Sequence, residues 1–579
     1  MCFLIVLSRL SSAHGQATTA PDPDVSAKAR AILKQQCYAC HGRKKLTPDL
    51  NVLERSSLVA SRSDGQDPFV LPGNLDQSTL WQVIDSDYMP KKPAPPLTDE
   101  EKSVLKTWIL GGGEFPPAAE TVRPPRSNKH ILETIHRHLT DAPANTQPFL
   151  RYLTITHLHN QRTAVSDEHL RYARAALSKA LNSLSRSRQI HPPKPIDDDG
   201  TIFVIDLRDY KWSAELWRKL LASYPYGLDP KSVQEKSLHD KVANIMKTDF
   251  DGVTHVRGDW FAVTATRPPL YEEFAQIPET LGALEAELKV DRAGDLRNDA
   301  LVRAGLQESG VSTQNRVVDV HETERGLYWI SYDFEVNSGR SNIARFPLGP
   351  EFANHPFPGR AFKQAGSEII FCLPNGLHAY MLVDKENKRI SEGPIKIVAD
   401  QDRSSGTPVV VNGISCISCH AQGLREVKDV IGNAHGLQNA AEAEKAEALY
   451  DASKMRARLD EGKADYLKAL KKTIGPFLQV QEDANRPIEA FAEPITTVAL
   501  KYDEDMSLET VAAELGELNQ DDLRQSVTRL PVLRGIGLGV LGQGKTIKRT
   551  MWTALEGGRS PFQETALQLG IGVPLNNLP

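Results

Sequence analysis

Cysteine is scarce, six in 579 residues, so where the six fall carries information. Long hydrophobic runs are missing too. No apolar stretch approaches the roughly 20 residues that span a bilayer, which excludes a membrane-spanning helix of ordinary composition. Positive charge is not in excess: the formal net charge is -5, and nothing basic enough to hold nucleic acid stands out. What remains is ordinary for a soluble globular protein, 40% hydrophobic and 25% charged. The length exceeds the roughly 250–300 residues at which a single core stops growing, so three or four domains are expected. The first 20 residues hold a short apolar run and then Ser/Ala/Gly-rich sequence, and the loop-like Pro21-Asp22-Pro23-Asp24 follows. They read as a secretory signal peptide with a thin charged start.

Four of the six cysteines lie in two five-residue runs, Cys37-Tyr38-Ala39-Cys40-His41 and Cys416-Ile417-Ser418-Cys419-His420. Cys-x-x-Cys-His is the pattern of c-type haem attachment, in which two thiols form thioethers and the following imidazole binds the iron. Two intervening residues make one turn, which sets both sulfurs against the porphyrin edge with the histidine within reach of the metal. A redox dithiol or half a zinc site requires no histidine directly after the second cysteine in both copies. The expected cofactor is therefore haem c, two per chain and covalently attached, with His41 and His420 as iron ligands. Haem attachment of this kind takes place outside the bacterial cytoplasm, so the mature chain is expected to be periplasmic or otherwise exported. Cys2 lies in the leader, no disulfide to Cys372 is expected, and Cys372 reads as a buried free thiol.

Residues 25–36 read as a helix running into the first motif. A loop-rich stretch follows, then Tyr88-Met89-Pro90, and Thr98-Asp99-Glu100-Glu101 forms a capping box ahead of Val104, Leu105, Trp108 and Ile109 at helical spacing. Gly111-Gly112-Gly113 ends that helix. Helix, haem motif, methionine-bearing loop and closing helix make a small class I cytochrome c domain over residues 25–117. This stretch resembles the planctomycete-type cytochrome c domain, down to the Met-Pro followed by a Leu-Thr-Asp-Glu-Glu helix start. Met89 is the natural sixth ligand, because a thioether opposite His41 stabilises ferrous iron; a core methionine is the alternative for such a residue. Arg43-Lys44-Lys45 and Lys91-Lys92 flank the two ligand positions and suit an acidic redox partner protein, although solvated lysines also explain such runs.

Beyond a Pro-rich connector, residues 128–365 mix helical segments such as 167–184 with strand-like 201–205 and 327–332, an α+β domain. Its aromatics, among them Trp212, Trp217, Trp260, Tyr271 and Trp329, read as core. His130, His136 and His138 share one predicted helix; they could offer a bis-histidine ligand pair but read rather as surface histidines. Residues 366–435 hold a hairpin and the second haem motif. Apolar runs 369–373 and 377–382 flank Pro374-Asn375-Gly376, and a two-residue Asn375-Gly376 turn pairs Leu373 with His378 and Ile370 with Met381. A strand over 389–398 is expected before the motif. Residues 436–579 read as mostly α, with a long charged helix over about 440–472 interrupted by Gly462. Residues 149–423 resemble the body of a broader group of bacterial haem c proteins, on Ser309-Gly310-Val311-Ser312 with Asn315-Arg316, Tyr332-Asp333-Phe334, the Leu-Pro-Asn-Gly-Leu turn and Asn412-Gly413-Ile414-Ser415. That resemblance implies haem binding and no assigned reaction.

Near the C-terminus, Gly539-Val540-Leu541-Gly542-Gln543-Gly544-Lys545-Thr546 satisfies a phosphate-loop pattern. Such a loop needs a preceding strand and a downstream acidic ligand in a nucleotide-binding sheet, and the 33 residues after Thr546 are too few to supply one. A flexible glycine-rich loop is expected, and no nucleotide partner.

The expected function is periplasmic electron transfer by a di-haem c-type cytochrome. The alternatives are a haem oxidoreductase, di-haem peroxidase-like with catalysis at the second haem, and a haem-based redox or gas sensor. The large middle region exceeds what a carrier needs, while the wide separation of the two motifs departs from known di-haem peroxidases. Whether the chain is an enzyme is open. For the sixth ligand of the second haem the candidates are His378 or Met381 of the hairpin, on opposite faces, and then His435, Met455, Met506 and Met551; Met455 is expected at a charged surface.

Overall fold

A computed structural model describes residues 23–38, 41, 50–53, 55–60, 62, 67–91, 96–115, 123–162, 164–246, 252–307, 312, 314–335, 343–395, 398–400, 403–432, 435–516 and 519–575. The chain divides into two compact units, Met1–Val122 and Arg123–Pro579.

The first unit is built from helices. In α1 (Pro23–Gln36) the spacing of Ser26, Ala29 and Leu33 puts all three on one buried face. Helices α2 (Arg55–Val59), α3 (Thr79–Asp85) and α4 (Asp99–Leu110) follow. The capping box forms as the sequence predicts: Glu101 N–H donates to the Thr98 hydroxyl at 3.2 Å and Thr98 N–H donates to Glu101 Oε2 at 2.8 Å. Leu105, Trp108 and Ile109 are the buried face of α4, which packs against α1. One polar contact joins the two helices and a second closes the end of α4. The Gln36 amide donates to Glu101 Oε1 at 3.0 Å, and the Trp108 indole donates to Glu114 O at 2.7 Å while its ring stacks on Phe115.

Among the described residues the second unit carries three sheets. After α5 (Asn128–Asp141), β1 (Leu150–Thr154) and α6 (Asp167–Ser183), the short β2 (Lys194–Pro195) and β3 (Ile202–Asp206) join β1 in a four-stranded sheet. Its order is β2-β3-β1-β5, with β5 (Val256–Arg257) parallel to β1. β4 (Leu228–Pro230) pairs with the C-terminal β12 (Gly572–Pro574). The largest sheet is an antiparallel meander of β6 (Val302–Leu306), β7 (Arg316–Thr323), β8 (Gly326–Phe334), β9 (Gln364–Cys372), β10 (His378–Asp384) and β11 (Arg389–Ile390). β7 and β8 are buried almost throughout, because both faces of the meander are covered. The pairing puts Val318, Ser331, Glu368 and Leu382 in one row, and Trp329, Ile370 and Tyr380 in the next. These rows share a face, whereas Ile330, Ile369 and Met381 point the other way.

The hairpin exists, but its register differs from the expected one. Gly376 N–H donates to Leu373 O at 2.9 Å and Leu373 N–H to Leu377 O at 2.7 Å, with Gly376 at φ +88°. This is a three-residue loop whose glycine takes the left-handed position, so Cys372 faces His378 and Ile369 faces Met381. Of the strand expected over 389–398, only Arg389–Ile390 forms, with an isolated bridge from Val398 to Ser312. The long charged segment breaks earlier than expected, between α8 (Ala440–Leu449) and α9 (Ala452–Leu478), where the Asp451 carboxylate accepts from Ser453 and Lys454 N–H. Gly462 is not a break. It lies inside α9 where a Cβ would come 2.7 Å from Leu327 Cδ1.

The expected divisions at 365/366 and 435/436 are not where the structure divides. β9 and β10 belong to the same sheet as β6–β8, and α9 packs on α6 and β8. One apolar core runs from Ile131 to Ala566. The phosphate-loop look-alike forms a 3-10 turn, Leu538–Gln543, between helices Pro531–Gly535 and Arg549–Thr553. A helix therefore stands where a phosphate loop has its strand.

Candidate functional site

The helical turn at the end of α1 continues into the first motif. Cys37 N–H and Tyr38 N–H both donate to Leu33 O, and His41 N–H donates to Cys37 O at 2.9 Å. Cys37 and His41 therefore stand one turn apart on one side. Cys37 packs against the unit's apolar core, and the half-buried His41 has its imidazole pKa lowered by desolvation. Burial thus favours the neutral ring that a metal requires. Met89, also half-buried, donates its N–H to Val83 O at 2.9 Å, which ties it to the end of α3. Cys40 lies outside the described residues, as do Arg43, Lys44, Lys45 and Lys92. Lys91 is described, with its ammonium 3.2 Å over the exposed Tyr88 ring.

The second motif forms α7 (Ile414–Cys419), entered through Gly413 at φ +88°. A Cβ there would lie 2.4 Å from Thr266 O and 2.7 Å from Tyr271 Cγ, so only glycine fits. His420 N–H donates to Cys416 O at 2.9 Å, carrying the turn through to the histidine. The two thiols are not joined in a disulfide, and burial pushes Cys416 well above the usual thiol range. His420 Nδ1 lies 3.2 Å from Gly423 O. A carbonyl only accepts, so Nδ1 donates to it, the arrangement by which a backbone carbonyl orients an imidazole that binds a metal through Nε2.

Cys416, Cys419 and His420 line a cavity of about 790 Å³, whose far wall is the sheet face bearing Val318, Trp329, Ser331 and Glu368. That volume falls within the range of ligand pockets, roughly 300–1,000 Å³. Tyr380 stacks beside the His420 ring at 5.9 Å, and Glu368 Oε1 lies 3.7 Å from His420 Nε2. Burial alone would raise the Glu368 carboxyl, and the Arg316 guanidinium beside it works against that. Two thiols, an oriented imidazole and a flat-sided cavity fit a haem.

Sequence reasoning missed Arg316, Trp329 and Glu368 as walls of this cavity, and Tyr380 as the ring beside His420. The run Asn315-Arg316 and the Tyr332-Asp333-Phe334 segment were visible in the sequence. Their meaning appears in the pairing of β7 with β8, where Arg316 Nε and Nη2 donate to Asp333 Oδ1 and Oδ2 at 2.9 and 3.0 Å. None of the expected sixth ligands of this site is among the lining residues. His378 is buried against Tyr466 at 4.5 Å, and burial pushes its imidazole down to about 3. Met381 is on the opposite sheet face. Met455 is 4% exposed and so a core residue, not the surface residue expected from its charged helix. Trp212, Trp217, Trp260 and Tyr271 are core, as read from the sequence.

The first unit thus runs from a helix leading into a cysteine and histidine one turn apart, through a methionine-bearing loop, to a capped closing helix, and a family match supports a cytochrome c domain there. Residues 37–93 match the family model described as Planctomycete cytochrome C. With this match come covalently bound haem c and, as the class of function, haem-based electron transfer. Domains of this type are typically exported, and among the described residues no helix is long and apolar enough to cross a membrane. No curated protein and no solved structure matches the chain.

Proposed function

We propose that the chain is a di-haem c-type cytochrome that transfers electrons in the periplasm or a comparable exported compartment. In this reading Cys37, Cys40, His41 and Met89 would hold the first haem, and Cys416, Cys419 and His420 would hold the second. Each bound haem supplies a one-electron ferric/ferrous couple. The residues supply the rest. The thiols would tether the ring edge, burial favours the neutral form of His41, and Gly423 O accepts from His420 Nδ1 and leaves Nε2 for the metal. Arg425 and Lys428, exposed among the residues lining the second cavity, are the cations that could meet haem carboxylates there. Lys91 belongs to a basic rim suited to an acidic partner protein. The observation that carries the reading of the second site is the oriented His420 beside two unbridged cysteines in one cavity. Mass spectrometry of the intact, exported protein tests it: two covalent haems are expected, falling to one in the double variant Cys416→Ala, Cys419→Ala. One haem or none in the unmodified protein would overturn it.

The runner-up is catalysis at the second haem, with sensing as a further variant. One observation favours it: Arg316, Glu368 and Asp400 make that cavity highly charged, beyond what a relay of electrons needs. Carbon monoxide binding to the reduced protein separates the readings, since a catalytic iron takes it up and a closed one does not.

A further inference from the structure

We infer that Glu368 is the axial group facing the second haem iron from the side opposite His420, so that an imidazole and a carboxylate hold this iron. The inference rests on the reading of Cys416, Cys419 and His420 as a haem-attachment site.

Its starting point is a pair of facing metal-binding atoms. Nδ1 of His420 donates to Gly423 O, which leaves Nε2 as the ring nitrogen free to bind a metal. What Nε2 faces, 3.7 Å away, is a carboxylate oxygen, Glu368 Oε1. The gap is too long for a direct hydrogen bond. It is wide enough for a metal held by both atoms, and the two attachment cysteines in the same cavity wall indicate which one. Bonds of about 2 Å from a metal to nitrogen and to oxygen place opposed donors about 4 Å apart, close to the observed gap.

Glu368 is also held in this pose. Arg316 Nη1 donates to its other oxygen, Oε2, at 3.3 Å, and Arg316 is fixed by its two bonds to Asp333. Ser312 adds a hydroxyl to Asp333 Oδ1 at 2.9 Å. The chain Ser312, Asp333, Arg316, Glu368 therefore aims one carboxylate oxygen at one imidazole nitrogen. The hairpin residues considered for the same role are placed elsewhere: Met381 faces the other side of the sheet, and His378 leans on Tyr466.

A carboxylate is an anionic, hard donor with a weaker ligand field than imidazole or thioether, and it favours ferric iron. The second haem is then high-spin when ferric and lower in potential than the first. Electron paramagnetic resonance, magnetic circular dichroism and a redox titration of the full holoprotein test this, with the haem count taken by mass on the same sample. One high-spin and one low-spin haem are expected. Glu368→Gln should raise the potential of the second haem alone, and Glu368→His should turn it low-spin by supplying a second imidazole. If both variants keep two haems and leave the second-haem spectrum as in the parent protein, Glu368 does not face the iron. A parent protein with a single haem would instead overturn the second attachment site itself, and this assignment with it.

Discussion

Met89 and Gly413 show how much a single side chain decides here. A thioether on the iron stabilises the ferrous state, so Met89→Ala should lower the potential of the first haem and abolish its methionine–iron charge-transfer absorption while sparing the second haem. An unchanged spectrum would return Met89 to the role of a packing residue. Gly413 opens the second attachment turn with a backbone that L side chains rarely adopt, and with Thr266 O where a Cβ would be. Gly413→Ala is therefore expected to disturb the Cys416 turn and to reduce haem incorporation at the second site only, read as a fall from two haems toward one by mass. Loss of both haems would point to global misfolding instead.

Among the elements, α9 runs counter to the usual ranking of helix formers. Inside a helix, alanine normally stabilises by about 1 kcal/mol over glycine. At Gly462 a methyl group would press on Leu327 Cδ1 at 2.7 Å, and overpacking of this kind costs about 1–3 kcal/mol. Gly462→Ala should therefore lower the urea midpoint, not raise it. The hairpin teaches the same lesson about neighbours. Asn-Gly suggests a two-residue turn, but the loop takes in Pro374 as well, because the Leu373 and Leu377 main chains bond directly across it. A shift by one residue moves every facing partner, which is how Cys372 comes to oppose His378.

For the second unit as a whole, stability should fall on acidification before its carboxylates titrate. The His355 ring is committed at both nitrogens: Nε2 donates to Leu348 O at 3.0 Å, and Nδ1 accepts from Phe357 N–H at 2.9 Å. Burial is the main cause that brings its pKa down to about 4, from 6.5. His169 and His255 are lowered to about 4 by the same cause. A folded state with depressed histidine values binds fewer protons than the unfolded chain. Its stabilising contribution is complete above pH 6.5 and is lost as the pH falls toward 4. Urea midpoints taken from pH 7 to pH 4.5 should decline across this window, and His355→Gln should flatten the decline. A midpoint that stays level would show these rings to be solvated.

The contiguous part of the chemistry was legible in the sequence alone. Cys-x-x-Cys-His is written in five neighbouring residues, and the capping box at Thr98 to Glu101 needs only one helical turn, so local spacing was enough for both. What surrounds the second motif was not legible, because it is assembled across strands. Arg316, Trp329 and Glu368 come from β7, β8 and β9 and share a face only once the meander is paired in its observed register. The apolar runs flagged the hairpin but not the side that meets the cysteines, since both faces are buried and the alternation that would mark an inner face is absent. The proton on His420 Nδ1 and the carboxylate facing Nε2 likewise depend on where Gly423 O and Glu368 lie in space. Covalent attachment is local chemistry, whereas the ligand field of an iron is set by groups that only the folded chain brings within a few ångströms.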